Sequence, residues 1–224
     1  MKTRVIVCWS GGKDSALALY EIQKAGGYEI TALLTTITEE YDRVSMHGVR
    51  RELIECQAKL LGLPLEKVYI PKDSSNGDYE ARMAEMLSKY HKDGVETVVF
   101  GDIFLADVRL YREENLSKAG MKAVFPLWGR DTGELAGMFV GEGFKGVVTC
   151  VDSQFLDRRY VGRFFDKRFL AELPQGVDPC GENGEFHSFV YDGPIFRGRV
   201  PFRRGKIVLR EKRFCYCDLV PVKD

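Results

Sequence analysis

The 224-residue sequence is poor in the side chains that build metal centres. It has 3 histidines, which are far apart, and none of its 6 cysteines stands in a C-x-x-C pair. Zinc sites and thioredoxin-like redox sites depend on such spacings, so the sequence predicts neither. The formal net charge is zero, which excludes a chain that binds polyanions through its overall charge. No apolar run approaches the length of about 18 residues that a membrane span needs.

The amino terminus also lacks the features of a secretory signal. A short charged start leads directly into an apolar run, with no extended hydrophobic region and no small-residue cleavage site. We therefore expect a cytoplasmic protein with reduced thiols and no membrane contact. The hydrophobic fraction of 45% and the charged fraction of 29% are those of an ordinary globular protein.

Apolar, β-branched runs alternate with segments of helical periodicity through the first half of the chain. The predicted strands cover residues 5–9, 30–37, 68–70, 97–100 and 123–125. The predicted helices cover residues 15–25, 49–60, 79–90 and 105–119. Such alternation predicts an α/β fold with a parallel sheet, whose ligands bind beyond the carboxyl ends of the strands. Residues 10–15, the loop after residue 37 and residues 101–107 should therefore share one rim of the sheet.

The pattern changes near residues 126–133. A helix is predicted over 135–140, a strand over 146–151 and a helix over 164–173. A loop rich in glycine, proline and acidic residues then covers 174–185, and further strands are predicted over 186–191, 207–211 and 214–220. We interpret residues 1–127 as an α/β domain and residues 128–224 as a second, smaller α+β domain.

The stretch Cys-Trp-Ser-Gly-Gly-Lys-Asp-Ser at residues 8–15 lies between a predicted strand and a predicted helix. Such a junction aims main-chain N–H groups and the positive end of the helix dipole at one point. Gly11 and Gly12 let the main chain approach an anion closely, and Lys13 adds a positive charge. The spacing is too compact for a Walker A motif, and a capped helix start needs none of these extra residues. The stretch therefore predicts a phosphate site.

Residues 181–187, Gly-Glu-Asn-Gly-Glu-Phe-His, place two carboxylates, an amide and an imidazole on one loop. Such a loop can bind a cation, an amine or a polar substrate, but short polar loops are also common as solvated turns. Asp102, at the end of a predicted strand, is equally typical of a catalytic carboxylate and of a helix cap. For His47 we favour a solvated helix start over a contact with a nucleotide.

Several segments, taken in order, resemble the diphthine–ammonia ligase family, an ATP-binding family related to diphthamide synthase. They are the PP-loop signature of ATP pyrophosphatases, Ser-Gly-Gly-x-Asp-Ser, at 10–15, Gly-Asp-Ile at 101–103, Pro-Leu-Trp at 126–128, the 181–187 loop and Asp-Gly-Pro at 192–194. The glycine signature alone is shared by many enzymes. The ordered set spans nearly the whole chain and is far more specific.

The resemblance implies a Rossmann-like adenine nucleotide α-hydrolase domain of the HUP type, followed by a domain that shapes an acceptor site. It implies that ATP, with Mg²⁺, adenylates a carboxylate and that ammonia or a small amine then displaces AMP to form an amide. The residues expected to bind ATP are Ser10, Gly11, Gly12, Lys13, Asp14, Ser15, Thr35, Thr36 and Gly101, and Asp14 is also the expected metal ligand. The expected catalytic side chains are Lys13, Asp102, Glu182, Glu185 and His187.

The family's late motif is nearer to Gly-Glu-Gly-Gly-Glu-Tyr-Glu-Thr, whereas this chain has Asn183, Phe186 and His187. The sequence therefore leaves open whether the carboxylate acceptor is a small molecule or a translation factor. It also leaves the oligomeric state open, a homodimer included. Two other functions compete with the ligase. One is a PP-loop sulfur transferase acting on tRNA, which needs a reactive cysteine pair such as Cys150 and Cys180. The other is an adenine-nucleotide sensor without turnover.

Overall fold

The computed structural model describes residues 2–222, which form two β-sheets joined by a shared core. The strands of the first sheet are β1 (Thr3–Cys8), β2 (Tyr28–Thr38), β3 (Arg43–Val44), β4 (Leu65–Ile70), β5 (Thr97–Val99) and β6 (Lys122–Val124). The helices that connect them are α1 (Lys13–Ala25), α2 (Arg51–Leu61), α3 (Asn76–Lys92) and α4 (Ala106–Lys118). This alternation confirms the α/β fold that the sequence predicts.

The first sheet is parallel apart from the short β3. Strand β1 lies between β2 and β5, while β4 and β6 extend the sheet on either side. Val5 and Val7 on β1 face one buried cluster, whereas Ile6 faces the other, and all three are fully buried. A strand with helices on both faces needs apolar residues at successive positions, which explains the continuous apolar run.

The second sheet is antiparallel and smaller, which confirms the predicted α+β part. Its strands are β7 (Lys145–Asp152), β8 (Phe164–Phe165), β9 (Phe186–Asp192), β10 (Phe202–Arg210) and β11 (Phe214–Pro221). Helices α5 (Thr132–Gly141) and α6 (Lys167–Ala171) accompany it. Strand β7 pairs with β8, β9 and β11, and β10 pairs with β11.

The helix predicted over 164–173 is wrong in its first part. Phe164 and Phe165 pair with β7 instead, and Phe165 packs edge-on against Phe139. The Asp166 carboxylate then accepts a hydrogen bond from the Phe169 main-chain N–H at 2.8 Å, so the helix begins only after that cap. Tertiary burial of Phe165 outweighs the helical spacing at this site.

One buried cluster contains side chains from both sheets, including Val7 of β1, Phe139 of α5 and Phe189 of β9. The division at residues 127 and 128 therefore remains a prediction, because the two parts do not have separate cores. Within residues 2–222, no helix combines the length and apolar character that crossing a bilayer requires.

Candidate active site

The glycine loop, residues 9–12, turns the chain from the end of β1 into α1. Gly11 has φ of 76°, and a Cβ there would lie 2.5 Å from Ile54 Cδ1. A Cβ on Gly12 would lie 2.9 Å from His47 Cε1 and 3.1 Å from the Ser188 carbonyl oxygen. Both positions require glycine, one for its backbone angle and its close packing and the other for its close packing alone.

The glycine loop is bonded to α2 and to the second sheet. The Val190 N–H of β9 donates to the Gly11 carbonyl at 2.9 Å. The fully buried Gln57 amide donates to the same carbonyl at 3.1 Å and to the Val190 carbonyl at 2.6 Å, while its oxygen accepts from the Trp9 indole at 2.8 Å. A buried amide with three partners positions the loop rigidly. The sequence prediction missed Gln57, which could have been noticed as a polar residue on the otherwise apolar face of α2.

Lys13, the first residue of α1, is only 2% exposed. Its ammonium group donates to the Asp14 carboxylate at 2.8 Å and to the Cys180 carbonyl, and it lies 5.5 Å from the centre of the Phe186 ring. Burial alone would lower the pKa of Lys13, but the Asp14 carboxylate holds that pKa above its ordinary value. Lys13 is therefore a fixed positive charge that links the glycine loop to the segment before β9.

A cavity of about 440 Å³ opens between the glycine loop, the ends of β2 and β5, and the start of β9. This confirms that the three predicted segments share one rim of the sheet. The sequence-predicted residues that line the cavity are Ser10, Lys13, Asp14, Ser15, Thr35, Thr36, Gly101, Asp102, Glu182 and His187. The predicted residues outside its lining are Gly11, Gly12 and Glu185.

The rim formed by β2 and β5 supplies further polar atoms. The Thr35 hydroxyl oxygen is buried and has no hydrogen-bond partner within the described residues. Gly101 lies so close to the start of α1 that a Cβ would be 2.8 Å from the Asp14 carbonyl carbon. The Asp102 carboxylate pairs with Arg112 at 2.8 Å. Asp102 does not cap α4, whose N-cap position is Leu105.

The late loop, residues 178–185, covers the cavity and is held by its own carboxylates. Asp178 accepts hydrogen bonds from the N–H groups of Cys180 and Glu182 at 2.9 and 3.0 Å, and from the Thr132 hydroxyl at 2.6 Å. Glu185 is 3% exposed and accepts from the Asp178 N–H at 3.1 Å. Glu185 thus contacts the loop itself rather than the cavity.

Glu182, in contrast, reaches into the cavity. Its carboxylate accepts from the Ile103 N–H at 2.7 Å, which links the late loop to the segment after β5. Burial, together with the nearby Asp14 carboxylate, raises the pKa of Glu182 to about 7 despite that hydrogen bond. A carboxyl group with this pKa can exchange a proton near neutral pH.

The structure corrects the interpretation of His47 as a solvated residue at a helix start. Its ring lines the cavity and lies against the His187 ring, with the ring centres 4.6 Å apart. His47 Nδ1 is 3.3 Å from the Ser188 carbonyl oxygen. Burial lowers the pKa of His47 to about 4 and lowers that of His187 well below its ordinary range, so both rings are neutral at pH 7.

The two cysteines that a sulfur-transfer reaction would need are poorly placed. Cys150 and Cys180 are buried, and neither lines the cavity. Burial raises the pKa of both thiols to about 12, so neither forms a thiolate near neutral pH.

The fold and the site define an α/β protein with a glycine loop and a helix start at the carboxyl edge of a parallel sheet. The sequence matches the family model of the diphthamide synthase N-terminal domain over residues 3–123 and that of the C-terminal domain over residues 131–219. The chain therefore belongs to the diphthamide synthase family.

Curated relatives carry the name diphthine–ammonia ligase. The human protein is 27% identical over 229 residues, which cover 92% of this chain and 85% of that protein. The Danio rerio protein is 27% identical, covering 88% and 85%. The Schizosaccharomyces pombe protein is 28% identical and covers 92% of this chain, but the chain spans only 37% of its length.

Two solved structures show weak similarity to the fold. The predicted subunit of a tRNA methyltransferase from Methanocaldococcus jannaschii has a TM-score of 0.39 and 20% identity, covering 61% of this chain and 73% of that one. The U34-tRNA thiolase NcsA from Methanococcus maripaludis, with its [4Fe-4S] cluster, has a TM-score of 0.38 and 16% identity, covering 61% and 56%.

Proposed function

We propose that this protein is an ATP-dependent amide ligase that activates a carboxylate as an acyl-adenylate and transfers it to ammonia or a small amine. The proposal rests above all on one cavity that is lined together by Ser10 of the glycine loop, Lys13 and Glu182. Membership in the diphthamide synthase family, and the name diphthine–ammonia ligase that its relatives carry, support the same chemistry. We keep residues 1–127 as the proposed ATP-binding part and residues 128–224 as the proposed acceptor part.

The glycine loop and the first turn of α1 would bind the phosphates of ATP. The first N–H groups of a helix have no acceptor within the helix, so a phosphate oxygen can accept from them. Lys13 would compensate the charge that develops at the α-phosphorus, and the Ser10 and Ser15 hydroxyls would donate further hydrogen bonds. Thr35, Thr36 and Gly101, at the ends of β2 and β5, would lie beside the adenosine.

The residues at the loop also fit Mg²⁺. Asp14 uses one carboxylate oxygen to accept from Lys13, while its other oxygen is buried without a hydrogen-bond partner in the described chain. Residues 2–222 contain no group of three or more metal-ligating side chains. Mg²⁺ in nucleotide sites is commonly held by one or two carboxylates together with phosphates and water. The ion would neutralise charge on the phosphates, and Asp14 is its proposed protein ligand.

The late loop would hold the acceptor and the amine. In the activation step, a carboxylate oxygen forms a bond to the α-phosphorus while the bond to the β-phosphate bridging oxygen breaks and pyrophosphate leaves. The amine nitrogen then attacks the activated carbonyl, and AMP leaves with the electrons of the C–O bond. Glu182, with a pKa of about 7, is placed to take the proton that the nitrogen loses.

The other predicted catalytic residues would have different tasks. His187 and Asp102 line the cavity and would contact the acceptor or the nucleotide. Glu185 would act as a positioning residue, because its carboxylate holds the Asp178 N–H and the Asn183 amide. Diphthine, which a translation factor would carry, is the first acceptor to test, because the relatives have the name diphthine–ammonia ligase.

Mass spectrometry of the amide product tests this function. The protein is incubated with ATP, Mg²⁺, ¹⁵N-ammonium and either a diphthine-bearing translation factor or a small-molecule extract of the source organism. We expect an amide that contains ¹⁵N, with one AMP formed for each amide. Firm ATP binding without any amide or AMP, across both acceptor pools, would favour the sensor and contradict the ligase.

A further inference from the structure

His47 has no role in the chemistry described so far, although its ring and the neighbouring His187 ring line the cavity beside Lys13. No carboxylate in residues 2–222 is hydrogen-bonded to either ring. The charged groups that act on the pair are each other and the Lys13 ammonium, and all of these oppose a positive charge on the rings. Without a ligand, the pair is therefore neutral next to a site built for an anion.

The hydrogen bond of His47 decides which of its nitrogens can accept a proton. The Ser188 carbonyl oxygen can only accept, so the Nδ1 atom 3.3 Å away carries the hydrogen. The Nε2 atom then keeps its lone pair. Cε1, which is bonded to both nitrogens, faces Gly12 so closely that a Cβ there would lie 2.9 Å away and the ring would have to shift. The ring edge therefore lies directly against the main chain of the glycine loop.

A polyphosphate in the glycine loop would reverse the electrostatics of this ring. Several negative charges would enter a buried site in which the charge that acts on His47 is the Lys13 ammonium. At an effective dielectric constant of about 20, one unit charge at about 5 Å changes a pKa by roughly two units. The ligand thus favours the protonated imidazole, which gains a second N–H donor at Nε2.

We propose that His47 is a phosphate-binding residue that takes up a proton when a polyphosphate enters the glycine loop and releases it when pyrophosphate leaves. This inference rests on the proposed function only in placing ATP phosphates at that loop. The proton comes from solvent and returns to solvent, so no other reactant is needed. After pyrophosphate departs, Lys13 and His187 again disfavour the charge, and the site returns to its neutral state.

The small number of histidines makes the test direct. Imidazole ¹⁵N NMR of the wild-type protein resolves His47, His187 and His91, and titrations run from pH 4.5 to 8 alone, with saturating pyrophosphate, and with AMP. We expect pyrophosphate to raise the pKa of His47 by at least about two units. AMP, which lacks the β- and γ-phosphates, should raise it by less. His91, which does not line the cavity, is the internal reference and should not move.

A pair of variants separates the proton from the packing. H47Q keeps a donor for the Ser188 carbonyl but cannot take a charge, whereas H91Q changes the histidine outside the cavity. With a shift of about two units from a pKa of about 4, we expect wild-type affinity for pyrophosphate, divided by that of H47Q, to rise about tenfold between pH 8 and pH 5. The protonation of pyrophosphate itself changes both affinities equally, so its effect cancels in this ratio. The ratio of wild type to H91Q should stay constant, and thermal melting checks that both variants fold.

The outcomes keep the two claims distinct. If pyrophosphate binds while His47 stays neutral, or the affinity ratio does not depend on pH, the inference is overturned and the ligase proposal stands. If the proton is taken up but no AMP ever forms, the inference stands and the ligase proposal fails. A protein that binds neither pyrophosphate nor ATP would overturn both.

Discussion

The glycine loop and the late loop face each other across one cavity, but different kinds of interaction hold them. The glycine loop depends on main-chain geometry: Gly11 needs a positive φ, and Gly12 and Gly101 leave no room for a side chain. The late loop depends on side-chain carboxylates, since Asp178 and Glu185 accept hydrogen bonds from its own N–H groups. Lys13 joins the two through Asp14 and the Cys180 carbonyl.

Under the proposed function, this difference would separate the binding of phosphate from the selection of the acceptor. A loop fixed by glycines and by a helix start presents the same N–H groups to any phosphate. Few sequences can adopt the backbone geometry of such a loop. A loop fixed by side chains keeps its shape while the residues that face the cavity vary. The glycine loop should therefore tolerate almost no change, whereas substitutions in the late loop should divide into those that affect chemistry and those that affect stability.

The largest effect should follow removal of the charge that joins the two loops. We expect K13M to lower AMP formation by about 1,000-fold, because the charge at the α-phosphorus would lose its buried counterion. The rate of AMP release from α-labelled ATP measures the loss. K24M is the matched control, since Lys24 is exposed on the same helix, and it should change the rate by less than about twofold.

Wild-type rates in K13M, with a normal melting temperature, would contradict the role of Lys13. A variant that simply unfolds is recognised by the melting curve and by loss of the far-ultraviolet dichroism of wild type.

The two glutamates of the late loop should separate chemistry from structure. Glu182 must be deprotonated to act as a base, so wild-type activity should fall as the pH drops through about 7. E182Q should lose about 100-fold in rate together with that pH dependence, because glutamine cannot take the proton. E185Q should instead lose about 1–3 kcal/mol of stability, since a buried carboxylate with two donors is replaced.

Rate–pH profiles and urea unfolding of both variants measure this contrast. A pH limb near 7 that survives in E182Q would assign the titration to another group. An E185Q variant with intact stability but no activity would place Glu185 in the chemistry after all.

A smaller loss should follow a methyl group placed where the main chains meet. G101A puts a Cβ 2.8 Å from the Asp14 carbonyl carbon, so the helix start must shift. We expect a loss of about 1–3 kcal/mol of stability and about 10- to 100-fold in AMP formation. G137A is the control: it lies inside α5 with nothing within 4 Å of the new methyl, and it should stabilise the protein by about 0.5–1 kcal/mol.

Calorimetry and the AMP assay compare the two glycine variants. Equal stability of G101A and wild type would show that the close approach at Gly101 is not needed.

The smallest effect should come from the cysteines. Cys150 and Cys180 are buried thiols with pKa values near 12, so alkylation should be slow and a C150A/C180A variant should keep its rate within about threefold. A sulfur transferase would lose all activity in the same variant. Kinetics with and without iodoacetamide measure the difference, and rapid inactivation that ATP prevents would contradict the ligase interpretation.

The sequence predicts the parts of the molecule that depend on local signals. Continuous apolar runs identify the parallel strands, and the two glycines beside Lys13 identify the turn from β1 into α1, because each signal lies within a few residues. The strand at Phe164 and Phe165 escapes such reasoning, since its pairing with β7 accompanies the burial of Phe165 against a helix that lies far away in sequence.

The parts of the site that the sequence misses all depend on distant pairings. Gln57 bonds to Trp9 and Val190, and His47 meets His187, across separations that no local pattern encodes. The same reason explains Glu185: its spacing from Glu182 suggests a second cavity carboxylate, but the turn at Gly184 directs it into the loop. The type of a side chain predicts its chemical role only when the backbone conformation shows whether that side chain faces the cavity.

The position at which ATP is cleaved tests the central claim most directly. With α-labelled ATP, Mg²⁺, ammonium and an acceptor, we predict labelled AMP and no labelled ADP, formed by wild type and K24M but not by K13M. Labelled ADP as the product would mean that the γ-phosphate is transferred, and it would contradict the adenylation that we propose for this cavity.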